Sequence, residues 1–374
     1  GRQSFSVTAK SQTIEQIFKT VFTVSLVELV VILGKQNTEI MAASANMATT
    51  VATVSSFIYI FLYYRTKRRE IGQEIAETVN YKPTRIRKTL KKIINVAIPI
   101  SISSLISSFG KNIDSFTIVR FLKNYLTEEE AKIQYGILSG KIDSLCSLPF
   151  AFNVAFVTTL VPSISKSMAK GDLEEVAKKA EKYILISILI AFPIASTMFI
   201  YPNEILKILF PNAPSGAMYL KISSITIVFM LLAQTINGVL QGIGKVNIPA
   251  ISFGIGMIVK FLCNIILVPN KQIGIYGAII GNILCNILAC IISSCVLIKN
   301  IKLKINLKKL MIKPLLATIC MNIISIVLYS NLKCIKSSNL AIIVTLMVSY
   351  LIYLILIIIF RIYLPKKIKI KNFS

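Results

Sequence analysis

Histidine is absent from this 374-residue chain. That excludes histidine acid–base catalysis and His-ligated metal sites. Acidic residues are few: 16 Asp and Glu stand against 42 Lys and Arg, for a formal net charge of +26. No CxxC pair occurs among the seven cysteines. Cys146, Cys263, Cys285, Cys290, Cys295, Cys320 and Cys334 lie mostly within apolar runs. They read as small buried hydrophobes, not as disulfides or a metal cage. Gly242-Ile243-Gly244-Lys245 lacks the spacing and the following Ser or Thr of a phosphate loop. It reads as a short turn between helices, and neither a cofactor nor a metal is expected.

Apolar residues are abundant. They make up 55% of the chain, charged ones only 16%, and the mean hydropathy is +0.72. A disordered basic tail would lack this apolar content. A soluble nucleic-acid binder would not repeat apolar runs of about 20 residues, so nucleic acid is not an expected partner. The composition suits an all-α polytopic membrane protein with basic loops. No basic segment followed by an apolar one precedes the first run, so no signal peptide is expected. The opening Gly-Arg-Gln-Ser, without Met, reads as a processed or partial chain.

About ten transmembrane helices are expected, at roughly 13–34, 39–64, 93–121, 137–162, 182–201, 218–240, 247–268, 273–298, 314–330 and 339–364. A break is expected in the third, near Pro99 and Gly110. The layout gives four parts: two helices in 1–64, a basic linker 65–92, six helices in 93–298, and a basic loop with two further helices in 299–374. Counting Lys and Arg in alternate loops places 29 on the side of the N-terminus and seven on the other. The positive-inside rule then puts both termini in the cytoplasm. Basic cytoplasmic stretches around Thr84–Lys92 and Asp172–Tyr183 are suited to anionic lipid headgroups. Asp172-Leu173-Glu174-Glu175 resembles a capping box, and Glu128-Glu129-Glu130 a solvated helix start.

A faint internal repeat is present. At a constant offset Gly1, Ala9, Ser11, Ile14 and Lys19 match Gly242, Ala250, Ser252, Ile255 and Lys260. After a small gap Lys35-Gln36, Ala42 and Asn46 match Lys271-Gln272, Ala278 and Asn282. Two related lobes are the arrangement of many transporters. The second copy closes a six-helix block, so by symmetry four further spans are expected before Gly1.

Charges inside apolar spans cost roughly 2.5–3.5 kcal/mol each on insertion scales and call for a partner or a watery cavity. Lys111 and Asp114 are three apart, and Glu15 and Lys19 four apart. Each couple can neutralise itself on one helix face or line a cavity. Lys141 and Asp143 stand near the start of the fourth span. Arg120 and Lys221, near span ends, suit interfacial anchoring. Lys260 lies midway through its span beside Asn264, with no carboxylate within a helical turn. It is the best candidate for a cavity-facing cation. Gly254-Ile255-Gly256 and Gly277-Ala278 through Gly281 suit close helix packing.

Several stretches resemble a known family. They are Tyr135-Gly136-Ile137, Leu145-Cys146-Ser147-Leu148-Pro149 and Leu160-Val161-Pro162-Ser163-Ile164-Ser165. Pro99 through Ser103-Ser104-Leu105 with Ile113-Asp114, and Gly238-Val239-Leu240-Gln241-Gly242-Ile243-Gly244-Lys245 with Pro249, Lys260 and Asn264, belong with them. Together they are similar to stage V sporulation protein B and related polysaccharide exporters. That family sits in the MATE-like superfamily with the lipid II flippase. The resemblance implies a fourteen-helix, two-lobe fold, of which this chain would hold spans five to fourteen. It implies a non-enzymatic exporter in the cytoplasmic membrane, moving an undecaprenyl-diphosphate-linked cell-wall or polysaccharide precursor by alternating access. Lipid-linked oligosaccharide or a lipid II-like molecule is the expected partner. Candidate contacts are Lys111, Asp114, Lys141, Asp143 and Lys260. The sequence departs from the flippase pattern at one point. Asp143 matches the Asp of an Asp-Arg pair, but Ser144 stands where the Arg would be, with Lys141 about a turn away. Other readings are a cation-coupled drug antiporter of the same fold, which would want carboxylates dominating the cavity, and a membrane enzyme acting on lipid-linked sugars.

Overall fold

The computed structural model describes residues 5–33, 38–76, 86–301, 308–335 and 338–360. Among these residues every regular element is a helix. Among the described residues eight helices are long and apolar enough to cross a membrane, and the chain is an all-α multi-pass membrane protein. Two compact units divide it, Gly1–Ile86 and Arg87–Ser374.

The first unit holds α1 (Phe5–Ile32) and α2 (Thr38–Ala76), packed along their lengths. α1 is not among the eight membrane-length apolar helices, and it carries Lys10, Glu15, Lys19 and Glu28. α2 continues through Arg65 to Ala76, so the first part of the basic stretch prolongs a helix. Residues 77–85 lie outside the described residues.

The second unit begins with α3 (Ile86–Leu122), which runs on past Pro99 and Gly110. The expected break is therefore absent. In an apolar medium a broken ladder has no water to satisfy it, so a helix that loses one proline N–H gains by continuing. A short α4 (Glu128–Gly136) opens on a full capping box between Thr127 and Glu130. A π-helical turn, Ile137–Ile142, joins it to α5 (Asp143–Ala169). Gly171 turns the chain at φ +72°, and Asp172 caps α6 (Leu173–Ile200) by accepting from the Glu175 N–H at 2.8 Å. The short α7 (Pro202–Leu209) leads to α8 (Ala217–Gly242). At Gly244 a positive φ of +83° lets the Lys245 N–H close on the Leu240 carbonyl, a glycine-ended helix stop. α9 (Asn247–Leu267), α10 (Tyr276–Ile301), α11 (Lys313–Ile335) and α12 (Ser338–Ile359) complete the unit.

α5, α6, α8 and α10 form the centre, α9 packs on α10, and the α11–α12 pair leans on α6. The interior has two apolar clusters. One gathers Leu160, Ile164, Ile188, Val239 and Leu240. The other gathers Ile118, Ile142, Leu206, Leu220 and Ile227. A polar node is buried in the α5–α6–α8 interior. The fully buried Asn153 has its amide nitrogen 2.8 Å from Gln234 Oε1 and 3.0 Å from Thr235 Oγ1. Its carbonyl accepts from Ser187 Oγ at 2.9 Å. Paired polar groups in a low-dielectric interior fix register, and leaving them unpaired is costly. Asn153→Ala is expected to lower stability by about 1–3 kcal/mol in thermal unfolding of the detergent-solubilised protein.

Polar contacts also seat the α11–α12 pair. Ser196 Oγ donates to Asn322 Oδ1 at 3.2 Å, and Tyr201 and Ser325 hydroxyls lie 3.0 Å apart. Tyr353 donates to the Leu189 carbonyl at 3.1 Å. The other sides of both helices expose residues such as Ile323, Met347, Leu351 and Ile358, as lipid contact requires.

Candidate functional site

The site forms where α3 meets α9. Asp114 and Thr117 are three apart and share a face of α3; Lys260 and Asn264 are four apart and share a face of α9. Asp114 reaches both Lys260 and Asn264, and Thr117 reaches Asn264, so the two pairs meet. Lys260 Nζ lies 2.5 Å from Asp114 Oδ2. Asn264 Nδ2 donates to Asp114 Oδ1 at 3.1 Å and to Thr117 Oγ1 at 2.9 Å. Thr117 in turn donates to the Ile113 carbonyl. Both carboxylate oxygens are thus engaged. The side chains of Lys260 and Asp114 are only 10% and 15% exposed. Asn264 Oδ1 is buried with no hydrogen-bond partner.

Small residues bring α10 against this pair. A Cβ on Gly256 would fall 2.7 Å from the Cys285 carbonyl oxygen. One on Gly281 would fall 3.0 Å from Cys263 Cβ and 3.3 Å from the Lys260 carbonyl. One on Gly277 would fall 2.6 Å from Leu267 Cβ. Without side chains at these positions the α9 and α10 backbones approach closely, and the lysine stem is covered. At the far end of the seam the Tyr125 hydroxyl donates to the Val268 carbonyl at 3.2 Å.

The five residues singled out by sequence fall into different surroundings. Asp114 and Lys260 come together. Lys260, which has no acid on its own helix, is neutralised by an acid on another. Lys111 lies on α3, three residues before Asp114, and its side chain is outside the described residues. Lys141 sits in the π-helical turn, where its ammonium donates to the Ala213 carbonyl at 2.6 Å and lies 5.5 Å from the Phe210 ring centre. There it ties down the loop after α7. Asp143 begins α5 and is half-buried. No ion pair joins Glu15 to Lys19 among the described residues, although their spacing permits one. Thr117 escaped the sequence reading; its signal was its place one turn after an intramembrane acid.

Two family models match, MatE over residues 139–266 and polysaccharide biosynthesis protein over residues 8–168. Stage V sporulation protein B of Bacillus subtilis (strain 168) is 22% identical over 365 residues, 96% of this chain and 68% of that protein. The two model matches and this relative together show similarity to membrane flippases and exporters over most of the chain. The uncharacterized membrane protein YabM of the same organism is 29% identical over 278 residues, which is 74% of this chain and 51% of that protein. The chain therefore spans about half to two-thirds of the length of these relatives. The solved structure of the lipid II flippase MurJ in an inward closed conformation has the same fold, with a TM-score of 0.55 at 16% identity. The match covers 91% of this chain and 67% of that one.

Proposed function

We propose that the chain serves in exporting an undecaprenyl-diphosphate-linked cell-wall or polysaccharide precursor across the cytoplasmic membrane, as a transporter and not as an enzyme. The observation that carries this reading is the buried Asp114–Lys260 pair in a chain similar over most of its length to stage V sporulation protein B. An intramembrane ion pair joining two helices is expensive to keep and is a functional-site hypothesis by default. In this reading a cationic cavity takes the diphosphate while the lipid tail stays in the bilayer, and rocking of the lobes exposes the sugar outside. Lys111, Asp114, Lys141, Asp143 and Lys260 are the proposed contacts. Lysine suits a diphosphate as a point charge. Both termini face the cytoplasm, where the basic loops meet anionic headgroups.

The MatE match keeps the drug-antiporter reading in view. An antiporter of cationic compounds would want carboxylates to dominate, and among the proposed contacts three lysines stand against two aspartates.

The test uses the complete protein in a strain lacking its own flippase. Substituting Lys111, Lys141 and Lys260 together by Gln, with Asp114→Asn to leave no unpaired buried charge, should abolish complementation at normal protein levels in the membrane. Complementation equal to the unsubstituted protein would defeat the cavity assignment.

A further inference from the structure

The approach to α5 departs from regular helix. The Ile137 N–H still bonds to the Gln134 and Ile133 carbonyls, but the Asp143 N–H bonds to the Leu138 carbonyl, five residues back. The π-helical turn Ile137–Ile142 therefore holds one surplus residue. Turns of this kind are rare and concentrate at functional sites.

Several features loosen the helix here. Gly136 precedes the turn and Gly140 lies within it. A Cβ at either position would meet nothing within 4 Å, and neither glycine has a positive φ. Neither close packing nor turn geometry asks for glycine, and what glycine adds to a helix is freedom. Ser139 Oγ donates to the Tyr135 carbonyl at 2.9 Å, a side-chain bond of the kind that bends helices. The segment before the turn is lightly held, since Ala131 alone is buried among the residues of α4. One side of the turn is anchored, where Leu138 and Ile142 enter the core.

The loop between α7 and α8 lies against the turn. Lys141 Nζ donates to the Ala213 carbonyl at 2.6 Å and stands 5.5 Å from the Phe210 ring centre. Gly216 takes that loop into α8 at φ +104°, so close that a Cβ would fall 2.6 Å from Ile137 Cγ2. A π-helical turn winds more slowly than an α-helix. Regaining α geometry would rotate Lys141 relative to α5 and draw it away from Ala213.

We propose that the π-helical turn Ile137–Ile142 is a hinge between α4 and α5, and that Lys141 is the latch that holds it closed on the α7–α8 loop. The hinge stands apart from the exporter reading. Under that reading it adds an order of events: Lys141 reaches a diphosphate only after leaving Ala213.

Hydrogen–deuterium exchange of the complete protein in nanodiscs is the test. Lys141→Met should speed exchange in 137–143 and in 206–216 by about tenfold, the scale of one charged hydrogen bond, and leave 150–160 unchanged. Lys141→Arg should stay close to wild type. Gly136→Ala with Gly140→Ala should slow exchange in 137–143 by about tenfold. Wild-type rates in Lys141→Met overturn the latch and the proposal with it. Faster exchange confined to 206–216 makes Lys141 a clip on that loop with no hinge behind it, which also overturns the proposal. If Lys141→Met fails to fold or speeds 150–160 as well, the glycine variant decides: slower exchange in 137–143 supports the hinge, and an unchanged rate overturns it. None of these outcomes touches the exporter reading, which complementation tests separately.

Discussion

Lys260→Met alone is expected to destabilise the protein by about 3–5 kcal/mol, and adding Asp114→Leu is expected to restore most of that loss. The reason is the asymmetry of buried ion pairs. Removing the lysine leaves the Asp114 carboxylate only 15% exposed, with Asn264 Nδ2 as its remaining side-chain donor across the helix interface. A neutral amide cannot offset a buried charge. Removing both charges puts two apolar side chains into a seam already lined by Cys263 and Cys285, while Asn264 keeps its bond to Thr117. Unfolding of the single and double variants in detergent measures the coupling. If the double variant is as unstable as the sum of the singles, Asp114 and Lys260 do not act as a pair. Transport separates stability from function. A stable double variant that still exports would make the pair a structural joint; one that folds but does not export would place its charge in the mechanism.

The fold was readable because membrane insertion is written in long apolar runs. The expected segments 137–162, 182–201, 218–240, 247–268 and 273–298 lie within or close to observed helices from the π-turn and α5 through to α10. Local signals also held: Asp172 caps α6, Glu128-Glu129-Glu130 starts α4, and Gly242-Ile243-Gly244-Lys245 turns the chain between α8 and α9. The partner of Lys260 was not readable. Sequence offers pairings at i+3 and i+4 on one helix, so Lys111 stood as the natural partner of Asp114 and Glu15 of Lys19. The pair that forms spans two helices far apart in sequence, and only tertiary packing sets that distance. The role of Lys141 was hidden for the same reason. Its acceptor is a carbonyl in the loop after α7, and nothing in the composition of that loop marks it.

Gly256→Val is the second large effect expected. Packing in a membrane gains little from expelling water, so α9 and α10 depend on close backbone approach. At Gly256 even one methyl group would lie 2.7 Å from a backbone oxygen and 2.9 Å from Cys285 Sγ. The backbone cannot yield as a flexible side chain would, so α9 must move away from α10. Overpacking costs about 1–3 kcal/mol for an inserted methylene or two, and valine adds a branched side chain to that. Because Lys260 follows one turn later on α9, the shift should also strain its contact with Asp114. Gly256→Val is therefore expected to lose stability by more than about 3 kcal/mol, against a small gain of about 0.5–1 kcal/mol for Gly72→Ala. Gly72 lies in α2, where an added Cβ meets nothing within 4 Å. Thermal unfolding of the two variants gives the comparison. In the Lys260→Met/Asp114→Leu background the Gly256→Val penalty should shrink, since the ion pair no longer fixes where α9 must lie. An unchanged penalty there would mean that the glycine seam and the charge pair are independent features of the α9 surface.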